Sequence, residues 1–248
     1  HLRNRRQRQM CIRDRTCTEA VELGWRLHRL AFLDGRGGDR MVRPLLAALE
    51  RDGGRALPMT ESLLARISGK DNPQMVLGAF EQRWQEPGRI TPDAGRCWIA
   101  LDRVRDPGNL GTIMRTADAT GARGIILIGD CTDPYSVEAV RASMGAVFNV
   151  ELAQMPEDDF LDLAAGWPGQ IVGTALPASR DYRKVDYAGP LILLMGNEQA
   201  GLTPALMKAC TQLVRMPMMG RSDSLNLAVA TGVTLYEALR QRHPPEDG

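Results

Sequence analysis

Apolar and polar residues follow two different rhythms along this chain. Over residues 16–85 the runs are short: Trp25–Leu33 (WRLHRLAFL), Ala56–Met59 and Gln74–Ala79 read as strands, while Met41–Glu50 (MVRPLLAALE) and Glu61–Ile67 repeat apolar positions at helical spacing. Asp52–Gly54 supplies a break between the first helix and the strand after it. These residues predict a small α/β unit. Gln85–Arg96 (QEPGRITPDAGR) then brings Pro87, Gly88, Pro92 and Gly95 without any periodicity, so residues 86–96 read as a linker.

From residue 97 to 248 the rhythm becomes regular. Strands at 97–102, 124–129, 147–153, 170–175, 190–196 and 212–218 alternate with helices at 109–120, 136–142, 157–165, 204–210 and 225–241. That alternation predicts an α/β fold with a parallel sheet and helices on both faces. Ligands of such sheets bind outside the carboxyl ends of the strands, so the loops there are where chemistry is sought.

Composition removes several function classes. The longest apolar runs, Gly124–Gly129 and Leu191–Gly196, are only strand-length, which leaves no candidate for a membrane span. Five scattered cysteines (Cys11, Cys17, Cys97, Cys131, Cys210) form no C-x-x-C pair, arguing against a zinc site or disulfide framework and for a reducing, cytoplasmic setting. His1, His28 and His243 lie far apart, so neither a histidine triad nor a metal cluster is expected. The formal net charge of +1 excludes a uniformly basic nucleic-acid coat, and any RNA contact must rest on a local patch. Six of the arginines and one aspartate fall within residues 1–15, a stretch with no apolar period, set apart here as a non-native or disordered arm.

Three loops carry candidate chemistry. In Asp106–Gly121, Leu110, Ile113, Met114 and Ala117 form a buried helical stripe. Arg115 lies off that stripe, where it either pairs with Asp118 at i+3 or reaches a ligand; Asn109 is either an N-cap or a site residue. In Leu191–Pro204, a strand runs into a turn at Gly196, which with Gly201 allows backbone to approach a ligand, and Glu198 stands outside the strand end. It is either a solvated glutamate in a plain turn or part of a site. Thr203 and Pro204 mark the cap and first position of the next helix. In Val214–Ala230, Ser224 suits an N-cap and Asn226 suits it poorly, ahead of a helix whose apolar stripe is Leu225, Ala228, Val229, Gly232, Val233, Tyr236 and Leu239. Neither glycine pair follows the G-x-G-x-x-G spacing of a dinucleotide site.

Together, "DPGNLGTIMRTADATG", "LMGNEQAGL" and "MPMMGRSDSLNLAVATG", in this order, resemble the SPOUT superfamily of RNA methyltransferases, and within it the TrmH/SpoU family of ribose 2′-O-methyltransferases. The resemblance covers about residues 97–242, and more weakly the small α/β RNA-binding domain that precedes the catalytic domain in many members. That weaker match implies that residues 16–85 lack the usual opening of the domain. It implies a SPOUT-type trefoil knot in the C-terminal part, S-adenosyl-L-methionine as cofactor, RNA as substrate, no metal, and a homodimer. Arg115 would be the catalytic arginine, assisted by Asn109, Glu198, Ser224 and Asn226. Gly196, Met216 and Leu225 would bind the cofactor, with Thr174, Ala175 and Leu176 lining the same pocket. Large-subunit ribosomal RNA is the expected target. Transfer RNA is the alternative substrate, and a catalytically silent RNA-binding relative is the alternative class.

Overall fold

The computed structural model describes residues 9–68, 75–176, 178 and 180–243, so that most of the arginine-rich start and Gln74 lie outside the described residues. The first part holds β1 (Gln9–Arg13), α1 (Asp14–Glu22), β2 (Leu27–Leu33), α2 (Val42–Arg51), β3 (Arg55–Met59), α3 (Glu61–Ser68) and β4 (Val76–Glu81). Its sheet runs β1-β4-β2-β3, antiparallel except for the β2–β3 pair. The arm expected over 1–15 therefore ends in structure: Gln9–Arg13 pairs residue for residue with Glu81–Leu77. The brief apolar run Met10-Cys11-Ile12 is too short to stand out within an arginine-rich stretch.

The second part holds β5 (Cys97–Asp102), α4 (Pro107–Ala119), β6 (Gly124–Ile128), α5 (Val137–Ser143), β7 (Glu151–Met155), α6 (Glu157–Ala165), β8 (Gln170–Thr174), β9 (Arg180–Asp181), β10 (Leu191–Met195), α7 (Pro204–Ala209), β11 (Gln212–Arg215) and α8 (Leu227–Arg242). Its seven strands are all parallel, in the order β7-β6-β5-β10-β8-β11-β9. β5, β6 and β10 are buried along their whole length, as central strands covered on both faces must be. The strand expected at 147–153 begins only at Glu151, because Met144 and Gly145 take left-handed backbone (φ 53° and 100°) and turn Ala146–Phe148 into a 3-10 turn. Among the described residues, no helix is long and apolar enough to cross a membrane.

The two parts share one apolar core. Trp25 donates its indole N–H to the Phe148 carbonyl (3.3 Å) and meets the Phe148 ring edge-on at 5.0 Å, while the Arg83 guanidinium lies over the Trp25 ring at 4.6 Å. Tyr135 packs against Trp84 and donates to the Arg83 carbonyl. The expected linker is held down as well. Pro87–Arg89 forms a 3-10 turn, Ile90 is buried, and Trp98 donates its indole N–H to the Thr91 carbonyl. Proline and glycine suppress periodicity in a packed segment as they do in a free one.

Two helices face the site. On α4, Leu110, Ile113, Met114 and Ala117 are all buried, as their spacing predicts. Gly111 lets α5 approach so closely that a Cβ would come within 2.4 Å of the Ala142 Cβ and 2.5 Å of the Ala139 carbonyl oxygen. α8 differs from expectation: it buries Leu227, Ala228, Thr231, Thr234, Leu235 and Ala238, and exposes Val229, Val233 and Tyr236 from the predicted stripe. The two threonines go inside because their hydroxyls are satisfied within the helix, by the Leu227 carbonyl (2.7 Å) and the Ala230 carbonyl (2.9 Å).

Candidate active site

The carboxyl ends of β5, β10, β8 and β11 lie side by side, with Met195 beside Leu101 in register and Val214 beside Thr174. Three loops leave this edge toward α4, α7 and α8. The first is closed by Asp106, whose side chain accepts from the Asn109 amide and caps α4, with Pro107 at the first helical position. Asn109 is therefore not the cap, and its side chain is left for other work.

The third loop reverses the other capping expectation. Asn226, not Ser224, caps α8, its Oδ1 accepting from the amides of Ala228 (2.9 Å) and Val229 (3.3 Å). Among the described residues, the Ser224 side chain bonds only to its neighbour Asp223, at 3.2 Å, and does not join the other site residues.

These two results orient a chain of side chains. Asn226 spends its oxygen on the helix, so its Nδ2 donates to the Asn109 Oδ1 at 2.9 Å. With that oxygen occupied, the Asn109 Nδ2 donates to Glu198 Oε1 at 3.3 Å. An ionised carboxylate only accepts, so every amide direction in the chain is fixed by its two ends. Glu198, Asn109 and Asn226 thus tie the three loops together through side chains far apart in sequence.

The β10 loop that carries Glu198 closes on itself. Asn197 and Gly201 exchange backbone hydrogen bonds (3.2 and 2.9 Å), and the Asn197 Oδ1 accepts from the amides of Gln199 and Ala200, each at 3.0 Å. Gly201 has φ 66°, and a Cβ on Gly196 would lie 2.5 Å from the Gly201 carbonyl carbon and the Leu202 nitrogen. Gly196 is thus demanded by the loop's own closure.

Arg115 stands apart. It is exposed on α4, and Asp118, the expected partner, instead accepts from Asn149 Nδ2 at 3.3 Å. Arg115 has no hydrogen-bond or ion-pair partner among the described residues. Its guanidinium is available to an external group.

Beside this chain, the β8 and β11 loops offer a different surface. The Ala175 amide bonds to the Val214 carbonyl (3.0 Å), holding the two strand ends together, while Thr174 reaches the Met195 sulfur at 3.5 Å. Leu176 and Leu225 are exposed and Met216 is half-buried. From Met216 to Leu225 no backbone group bonds to another described residue. Apolar side chains beside unpaired backbone donors and acceptors suit a ligand with a flat aromatic base and a polar chain.

The cysteines near this edge are inert: burial pushes the Cys131 thiol, which reaches the Leu101 carbonyl at 3.5 Å, up to about 11 and the Cys210 thiol to about 12, so neither is a thiolate near neutrality. Sequence reasoning missed Asp106, Asn197 and the adjoining Asp102–Arg103 pair. An Asp-Pro step just after a strand was the available signal for the first. For the others nothing local existed.

The SpoU rRNA Methylase family matches residues 96–236. The chain belongs to this family. Among SpoU proteins, it is 35% identical over 230 residues to a 23S rRNA (uridine(2479)-2′-O)-methyltransferase of Streptomyces viridochromogenes, covering 90% of this chain and 79% of that one. It is 33% identical to the 23S rRNA (guanosine-2′-O-)-methyltransferase RlmB of Ralstonia nicotianae, covering 85% and 87%. An AdoMet-bound rRNA methyltransferase from Sinorhizobium meliloti superposes with a TM-score of 0.90 at 46% identity, covering 96% of this chain and 89% of that one.

Proposed function

We propose that this SpoU protein transfers a methyl group from S-adenosyl-L-methionine to a ribose 2′-hydroxyl of large-subunit ribosomal RNA. The observation that carries the reading is the directed chain Glu198–Asn109–Asn226 at the carboxyl edge of the sheet, with the unpaired Arg115 on the same helix as Asn109.

The cofactor brings a methyl group already activated on a sulfonium. Gly196, Met216 and Leu225 hold it, mainly through backbone, and Thr174–Leu176 line the same pocket; the unpaired backbone of Met216–Leu225 supports this. The acceptor hydroxyl is a poor nucleophile until negative charge on its oxygen is stabilised. Arg115 supplies the positive counter-charge, orienting the hydroxyl and stabilising the alkoxide-like transition state, while a flanking phosphate of the RNA relays the proton to water. Glu198, Asn109 and Asn226 fix the ribose by hydrogen bonds, and Ser224 joins them when RNA is bound. Orientation of this kind supplies much of a transfer enzyme's rate.

The C-terminal part is tied in a trefoil knot. Support comes from β10, which lies between β5 and β8 although β8 precedes it in sequence. The protein works as a homodimer in which α8 is covered: Val229, Val233 and Tyr236, at i, i+4 and i+7, form an exposed apolar strip. Pairing also explains why Arg115 stands apart from the asparagine chain, since the site then draws on both copies. Val233→Glu is expected to give a monomer by light scattering and to lose turnover; an active monomer would exclude the shared site.

RNA also lies on the small sheet. Arg29 and Arg55 occupy paired positions on β2 and β3, both exposed and without a partner among the described residues. Like charges side by side on a sheet repel, and a phosphate relieves them. The double replacement Arg29→Ala with Arg55→Ala is expected to raise KM for RNA about tenfold and flatten the salt dependence of binding by about two ions, with kcat unchanged. An unchanged salt slope would remove these residues from the RNA path.

The reading is tested by transfer of labelled methyl to separated ribosomal and transfer RNA. Label in the large-subunit ribosomal RNA is expected; label confined to transfer RNA would move the substrate.

A further inference from the structure

We propose that Arg103 is a positioning residue, a clamp that fixes the loop carrying Glu198 against the start of α4 so that Glu198 and Asn109 meet; this rests on the functional reading above. Arg103 follows directly on β5 and has φ 48°, a left-handed backbone that residues with a Cβ rarely adopt. Such a conformation persists only where its surroundings determine it.

Five contacts do so. The Arg103 amide donates to the Ile128 carbonyl at 3.0 Å, and its own carbonyl accepts from Asn197 Nδ2 at 2.8 Å. Its Nε and Nη2 grip both oxygens of Asp102, each at 2.8 Å, and Nη2 also reaches the Gly201 carbonyl at 3.4 Å. The Asp102 carboxylate is fully buried, so it requires this partner, and the paired oxygens match the planar fork of arginine.

Asn197 and Gly201 are the two residues whose mutual backbone bonds close the β10 loop. Arg103 therefore holds both ends of that loop, one through its backbone and the other through its side chain. Three residues later, Asp106 caps α4 and sets Asn109. The left-handed turn at Arg103 directs the chain from the buried strand to that cap, so one residue relates the two halves of the 3.3 Å Asn109–Glu198 contact.

Two variants test the clamp in the full chain. Arg103→Gly accepts the backbone angle without strain and removes the fork, whereas Arg103→Lys keeps a charge for Asp102 but loses the paired grip. Amide hydrogen exchange, S-adenosylmethionine affinity by calorimetry, and kcat and KM on ribosomal RNA are measured for each. Exchange at Asn197 and Gly201 is expected to quicken at least tenfold while the β5 and β10 amides stay as in the wild type. KM for RNA and cofactor affinity should hold within about threefold, with kcat at least tenfold lower in Arg103→Gly and lowered less in Arg103→Lys. Loop exchange and kcat within twofold of the wild type in either folded variant would overturn the proposal, as would faster exchange spread evenly over β5, β10 and the loop. Should the wild type methylate no ribosomal RNA, the functional reading falls, and the exchange measurement still decides whether Arg103 holds the loop.

Discussion

Arg115→Ala is expected to lower methyl transfer by about two to three orders of magnitude, the loss typical when one group facing a developing oxyanion is removed. Cofactor affinity and thermal stability should stay at wild-type values. The two halves of this expectation come from one observation: Arg115 is exposed and has no partner among the described residues, so its removal breaks no contact of the fold. A side chain that stabilises nothing in the resting protein can contribute to the reaction alone. Arg115→Lys should recover little, because a single ammonium cannot both orient a hydroxyl and span the charge that grows on it. Stopped turnover with intact calorimetric binding of S-adenosylmethionine is the predicted pattern. Near-normal turnover would remove Arg115 from the chemistry.

Asn226 offers the second large effect, because two jobs meet on one side chain. Its oxygen caps α8 and its amide nitrogen donates to Asn109. Asn226→Ala loses both, with about 1 kcal/mol of stability from the cap and at least tenfold in kcat expected. Asn226→Asp separates the two: a carboxylate still caps the helix, but it cannot donate, and it faces the Asn109 oxygen with a second acceptor. The aspartate variant should therefore denature at the wild-type urea midpoint and yet be as slow as the alanine one. Full activity in Asn226→Asp would mean that the hydrogen-bond chain is incidental to turnover.

Much of the architecture is written locally in the chain. The stripe Leu110, Ile113, Met114 and Ala117 lies buried on α4 as its spacing requires, and β5, β6 and β10, apolar but for Asp102 at the end of β5, occupy central positions in the parallel sheet. Thr203 caps α7 with Pro204 behind it, as the pair announces. What the sequence concealed is decided between distant residues. Asp, Asn and Ser cap helices almost equally well, so the choice of Asp106 over Asn109 and of Asn226 over Ser224 lies below what local propensity resolves. It is settled by the asparagines' mutual contact between two loops.

Hydrophobicity alone also misplaced the face of α8. Thr231 and Thr234 read as polar, yet each hides its hydroxyl against a carbonyl of its own helix, and Val229, Val233 and Tyr236 are left outside. The Arg103 turn had no local sign at all. A left-handed arginine is legible only once Asp102, Asn197 and Gly201 are seen around it.

The central claim is that the methyl group goes to a ribose 2′-oxygen, and alkali tests it most directly. Alkaline cleavage of RNA needs a free 2′-hydroxyl, so a methylated ribose protects the adjoining phosphodiester bond. Ribosomal RNA labelled by the purified protein from methyl-labelled S-adenosylmethionine should, after complete alkaline hydrolysis, carry its label in a resistant dinucleotide. Label recovered in mononucleotides would place the methyl on a base and contradict the account.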